Sequence, residues 1–209
     1  MALPRFISLD GIDGSGKSSQ IEPLVTWLER KGATVTTCHD PGSTPAGTAI
    51  RDILLNRKDI HLAPTTEMLL YMAARSQLVS EIISPALDRG EWVVSDRYLL
   101  ANIVYQGYAG GLDTERIRQV GHIATEGLLP GLTLVLDIDL DVSTSRLNRP
   151  LDKLENRGEE YRRKLRAGYL AEASHHPEAI QVIRSDLPMT EVSQLIQSSV
   201  INHYPELAQ

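Results

Sequence analysis

Along the chain, short apolar runs alternate with longer amphipathic stretches. Strand-like runs recur at 5–10, 33–38, 91–96, 132–138 and 179–184, with helical patterns between them. Leu134-Val135-Leu136-Asp137-Ile138 and Trp92-Val93-Val94-Ser95 are almost wholly apolar, as strands covered on both faces must be. Alternation of this kind predicts an α/β fold, a five-stranded parallel sheet with right-handed crossovers, flanked by helices on both faces. Ligands in such sheets gather at the carboxyl ends of the strands. Acidic residues stand at those ends: Asp10 with Asp13, Asp40, and Asp96. Residues from about Thr65 to Arg89 read as one long helix, with Pro85 expected to kink or tighten its last turns. No repeat or linker divides the chain, so a single domain over 1–209 is predicted. Pro150 and the polar residues around it, at about 144–158, read as a mobile lid rather than a domain boundary.

Between the first strand and the first helix lies Gly11-Ile12-Asp13-Gly14-Ser15-Gly16-Lys17-Ser18, the pattern G-x-x-x-x-G-K-[ST] in a strand–loop–helix setting. Glycines there let backbone N–H groups turn inward and phosphate oxygens approach closely. The helix beginning near Lys17 adds the positive end of its dipole. Lys17 supplies a mobile cation for the terminal phosphates, and the Ser18 hydroxyl suits Mg²⁺. A glycine turn that merely caps a helix is the plainer alternative. The flanking elements favour a nucleoside triphosphate site over residues 11–18, with Ser19 beside it.

Bulk properties narrow the partners. A net charge of −6 argues against a nucleic-acid backbone as the main partner. A single cysteine, Cys38, precludes an internal disulfide. No apolar run approaches the length of about 18 residues that a membrane span needs. No leader is evident before the first strand, so a soluble, cytoplasmic protein is expected.

Further candidates for chemistry lie downstream. Asp96-Arg97-Tyr98 follows the apolar strand; Asp96 can hold Mg²⁺ through water, and Arg97 can bridge two phosphates. A simple ion pair between the two neighbours is the alternative. Tyr71 and Arg75 share a helix face, and no acid lies three or four residues from Arg75. Tyr71 could stack on a base whose carbonyl Arg75 reads, or it could be a core aromatic beside a snorkelling arginine. The basic stretch 144–166 is either a solvated helix face or a lid that brings arginines to a phosphoryl group. Arg146 and Arg149 are its best candidates, whereas Arg157, Arg162 and Arg163 read as surface charge. The histidines lack metal-ligand spacing.

Taken in order, the glycine loop, Asp40-Pro41-Gly42-Ser43-Thr44-Pro45, the Tyr71 to Arg75 helix, Asp96-Arg97-Tyr98, Tyr105-Gln106-Gly107 and Leu151-Asp152-Lys153-Leu154-Glu155 resemble the thymidylate kinase family of P-loop nucleoside monophosphate kinases. The resemblance implies phosphoryl transfer from ATP to dTMP with Mg²⁺ held by Ser18 and Asp96, in a homodimer. Another pyrimidine acceptor such as dUMP or UMP, or a non-catalytic relative, is the alternative. By the same resemblance, Asp13, Asp40, Pro41, Arg51, Tyr71, Arg75, Arg97, Asn102, Tyr105 and Gln106 would hold dTMP. Asp13 would take the 3′-hydroxyl, Tyr71 would stack on thymine, Arg75 would read O4 and Asn102 would lie near N3. Tyr105 would crowd the sugar 2′ position. Gly11 to Ser19 and Arg146 would hold ATP. Catalysis would fall to Lys17, Asp13, Arg97, Arg149 and Lys153. Gly14 stands where some family members carry a catalytic arginine, which points to the lid for that cation. His39 replaces a customary arginine, with Arg51 as a possible compensation, and Ala101 replaces a customary serine.

Overall fold

The computed structural model of the chain describes residues 3–57, 59–146 and 158–208. Strands β1 (Phe6–Asp10), β2 (Val35–His39), β3 (Trp92–Asp96), β4 (Leu132–Asp137) and β5 (Ile180–Arg184) form one sheet in the order β2-β3-β1-β4-β5. Every pairing is parallel. The five predicted runs are the five strands, displaced by at most two residues at an end. In register, His39 and Leu9 each face Asp96, and Asp10 faces Val135, so the acidic residues share one edge of the sheet.

Strand side chains alternate between two apolar layers. Ile7, Leu9, Trp92, Val94, Leu132, Leu134 and Leu136 pack against α1 (Lys17–Arg30) and α9 (Met189–His203). Phe6 and Val93 point the other way, onto α3 (Pro64–Leu78) and α6 (Thr114–Ala124). Nearer the carboxyl edge, Val135 joins Tyr161, Leu165 and Tyr169 of α8 (Glu159–His175). Helices α2 (Pro45–Leu55), α4 (Ser84–Asp88), α5 (Leu99–Asn102) and α7 (Leu140–Arg146) complete the described residues, with a final 3₁₀ turn at Pro205–Ala208.

The long helix expected from Thr65 to Arg89 is continuous but differs at Pro85. Its turn before the proline widens instead of tightening: Val79–Ile83 is π-helical, with the Ser84 N–H bonded to the Val79 carbonyl. Proline has no N–H and its ring crowds the carbonyl four residues back; a wider turn relieves both problems. A second π segment, Ile103–Tyr108, continues α5 and carries Tyr105 and Gln106.

Tyr204 closes the sheet's lower layer. It is 2% exposed, meets Trp92 edge to face at 4.7 Å, and donates to the Pro4 carbonyl at 2.7 Å. Tyr204→Phe should cost about 1 kcal/mol, the worth of one hydrogen bond. Tyr204→Ala should cost about 3–5 kcal/mol through the cavity it leaves. Thermal unfolding of both variants decides; equal losses would mean that the ring contributes nothing beyond its hydroxyl.

Candidate active site

The glycine loop leaves β1 at Asp10 and enters α1 at Lys17. Because β1 lies between β3 and β4, the loop emerges where crossovers diverge to opposite sides of the sheet. Gly11 and Gly14 have φ of 135° and 79°, a region that L side chains rarely adopt. A Cβ on Gly11 would lie 2.6 Å from the Leu136 carbonyl oxygen, and one on Gly14 2.5 Å from that of Ser143. The Ser143 hydroxyl donates to the Asp13 carbonyl at 2.7 Å, fastening the loop to α7.

Lys17 is buried and donates to the carbonyls of Gly11 at 3.0 Å and Ile12 at 2.9 Å. Burial pushes its ammonium down to about 8; the charge of Arg97 adds to the shift and Asp13 opposes it. The Ser18 hydroxyl donates to Asp96 Oδ2 at 3.2 Å.

Arg97 sits at φ 68°, a left-handed conformation that costs a non-glycine residue on the order of 1–3 kcal/mol. Its N–H bonded to the Leu9 carbonyl at 2.9 Å and the Ser95 hydroxyl on its own carbonyl at 2.6 Å hold it there. The guanidinium consequently ion-pairs with Asp13 and also donates to the Tyr105 hydroxyl at 3.3 Å. Its nearest approach to Asp96 is 3.5 Å, so the neighbour pair is the weaker contact. Tyr105 donates to the other Asp13 oxygen at 3.1 Å. Burial alone would raise the Asp13 carboxyl, but Arg97 and Lys17 hold it well below the usual carboxylate range.

Beside this cluster Asp10 is fully buried, accepting from Ser8 at 2.6 Å and Tyr169 at 3.4 Å. Burial raises it to about 6, against the pull of the Ser8 hydrogen bond, Arg97 and Lys17.

Asp13, Asp40, Pro41, Arg51, Tyr71, Arg75, Arg97, Asn102, Tyr105 and Gln106 line one cavity of about 280 Å³, with Ser18 and Asp96 at its wall. Arg75 does not snorkel. It is 1% exposed and pairs with Asp40, 35 residues away, at 2.5 Å. It also donates to the Tyr98 carbonyl at 3.2 Å. Arg51 donates to the carbonyl of Pro41 at 2.8 Å, across a loop whose Asp40–Pro41 peptide is cis. On the other side of the glycine loop, Ser15, Gly16, Ser19 and Arg146 line a second cavity of about 190 Å³ with Gln20, Ser185 and Met189. Arg146 donates there to the Ser185 carbonyl at 3.0 Å.

A triphosphate-type loop between two nucleotide-sized recesses points to an enzyme with a donor and an acceptor. The family model described as thymidylate kinase matches residues 9–196. The chain belongs to the thymidylate kinase family. It is 39% identical over 197 residues to the thymidylate kinase of Caldanaerobacter subterraneus subsp. tengcongensis, covering 94% of each chain. It is 40% identical to that of Neisseria meningitidis serogroup C, covering 96% of this chain and 98% of the relative. The crystal structure of thymidylate kinase from Ehrlichia chaffeensis superposes with a TM-score of 0.76 at 27% identity, over 93% of this chain and 97% of that one.

Within the family frame, several placements differ from expectation. Arg162 is not plain surface charge: it donates to the hydroxyls of Thr144 at 2.5 Å and Ser143 at 2.6 Å, one residue removed from the glycine loop. Arg163 does form the expected exposed pair, with Glu159. Residues 144–146, expected to open the lid, are the last turn of α7. Arg149, Lys153 and Arg157 lie outside the described residues. His39 and Ala101 both line the larger cavity, so the two departures sit where they could bear on the acceptor. Leu55 at the same wall was missed, since a leucine on an amphipathic helix carries no chemical signal.

Asp10 yields a pH prediction. Its carboxyl rises from 3.8 to about 6, so it binds its proton more tightly folded than unfolded. Its contribution to stability is therefore full below about pH 4 and lost as pH rises through about 6. Asp10→Asn, neutral throughout, should be more stable than the parent at pH 8 by about 1–3 kcal/mol, a gap that closes toward pH 4. Melting curves across that range test it; a gap independent of pH rules it out.

Proposed function

We propose that the protein is a thymidylate kinase that transfers the γ-phosphoryl group of ATP to dTMP, giving dTDP and ADP. The observation that carries this reading is the Asp13–Arg97–Tyr105 cluster, which joins the glycine loop directly to the wall of the larger cavity. The loop and the smaller cavity take ATP, with Lys17 toward the terminal phosphates and Arg146 at the far wall. The larger cavity takes dTMP, with Tyr71 against the base and Arg75 and Asn102 on its polar edge. Arg75 suits that task because Asp40 and Tyr98 hold its guanidinium rigidly while leaving donors over. Tyr105, pinned by Asp13 and Arg97, restricts the sugar.

In the transfer, an acceptor phosphate oxygen of dTMP forms a bond to the γ-phosphorus as the bond to the β-phosphate oxygen breaks. Developing negative charge falls between Lys17 and Arg97, whose positions are fixed before substrate arrives. Asp13 stays ionised and holds Arg97 in place. Arg149 and Lys153 are proposed to add charge from the lid, since Gly14 leaves no room for it in the loop. Ser18 and Asp96 offer two oxygen donors 3.2 Å apart beside the loop, a hard pair that fits Mg²⁺ completed by phosphate oxygens and water. The ion would neutralise phosphate charge there.

We further propose a cytoplasmic homodimer acting as one kinase domain per chain. No described helix is long and apolar enough to cross a membrane. Exposed Leu69 and Ile123 lie on α3 and α6, two helices in mutual contact, and support a paired surface.

A coupled assay of ADP release should show dTMP-dependent turnover with ATP and Mg²⁺; its absence refutes the reading. Arg97→Ala should lower kcat by at least about 100-fold with little change in KM for ATP. Arg149→Ala or Lys153→Ala should lower kcat by a comparable or larger factor, identifying the lid cation. Full activity of both lid variants would overturn that part.

A further inference from the structure

Glu67 of α3 is 5% exposed, yet it is not among the residues lining the acceptor cavity. Its Oε1 accepts from Gln106 Nε2 at 3.0 Å. Gln106 Oε1 in turn accepts from Asn102 Nδ2 at 2.9 Å. Asn102 and Gln106 are 2% and 3% exposed, and both reach the cavity wall. Asn102 Oδ1 is buried with no hydrogen-bond partner in the protein.

A carboxamide can present either its oxygen or its NH₂ to a neighbour, so an isolated asparagine does not define what it reads. An ionised carboxylate only accepts. Glu67 therefore fixes the NH₂ of Gln106 toward itself, which turns the Gln106 oxygen to Asn102. That oxygen fixes the Asn102 NH₂, and Asn102 Oδ1 is left over as an acceptor. The opposite sense would set the Gln106 oxygen against a carboxylate, with two acceptors facing and neither satisfied.

We propose that Glu67 is a positioning residue that sets pyrimidine specificity without touching the nucleotide. Through Gln106 it fixes the polarity of Asn102, so that the site takes a base with a protonated N3. Thymine and uracil supply that N–H. Cytosine presents a lone pair at N3 and meets oxygen against nitrogen. Arg75 opposes cytosine independently, because its donors would face the exocyclic amino group; Glu67 governs only the N3 half of the discrimination. The inference rests on the acceptor cavity being the dTMP site.

The experiment is a comparison of kcat/KM for dTMP and dCMP in the full-length wild-type protein, Glu67→Gln and Gln106→Leu. Glu67→Gln keeps the shape but can present either end of its amide, so the relay loses its direction. The dTMP to dCMP ratio should fall at least about tenfold, with kcat/KM for dCMP itself rising. KM for ATP should not move. Gln106→Leu cuts the relay at its middle and should lower the ratio similarly, which keeps the test decisive if Glu67→Gln folds poorly. A ratio within twofold of wild type, or a parallel loss on both nucleotides, overturns the relay while leaving dTMP kinase activity in place. Failure of the wild type to phosphorylate dTMP overturns the reading of the cavity and the relay with it.

Discussion

The contact between Asp13 and Arg97 holds the donor and acceptor halves of the site in one frame. Asp13 belongs to the loop after β1, and Arg97 to the segment after β3, the neighbouring strand. Their pairing needs the left-handed backbone at Arg97, and that conformation is held from both sides by Leu9 and Ser95. A local conformational cost is thus set against an ion pair, a tyrosine hydroxyl and two backbone restraints. The payoff is a guanidinium held between the phosphate loop and the base cavity before either nucleotide arrives.

Buried charge surrounds that contact. Asp10, Asp13, Lys17 and Arg97 lie close enough to shift one another, and their shifts run in opposite senses. Asp13 faces two cations and stays ionised. Asp10 is buried more deeply and retains its proton to higher pH. Both are aspartates at the end of one strand, and their surroundings alone separate them.

The sheet and the glycine loop were legible in the residues because each leaves a local trace. A strand covered on both faces must be apolar throughout, and a phosphate loop must place glycine, lysine and serine at fixed spacing. The residues of the acceptor cavity were reachable only through family resemblance, since they come from several separate segments. What stayed hidden was pairing at a distance. No local pattern links Arg75 to Asp40, Arg162 to Ser143, or Glu67 to Gln106. Nor could Pro85 announce a widened turn, because relief of the same clash by a kink leaves an identical sequence.

The second widened turn, at Ile103–Tyr108, bears on how the family can vary in length. A π segment carries one residue more than an α-helix spanning the same rise. Loss of a single residue there would restore ordinary α geometry and rotate everything downstream by about 100° relative to Asn102. Tyr105 and Gln106 would leave the cavity together, one unpinned from Asp13 and the other from Glu67. In this stretch, then, residue count is itself a determinant of the substrate pocket, as consequential as the identity of any side chain it carries.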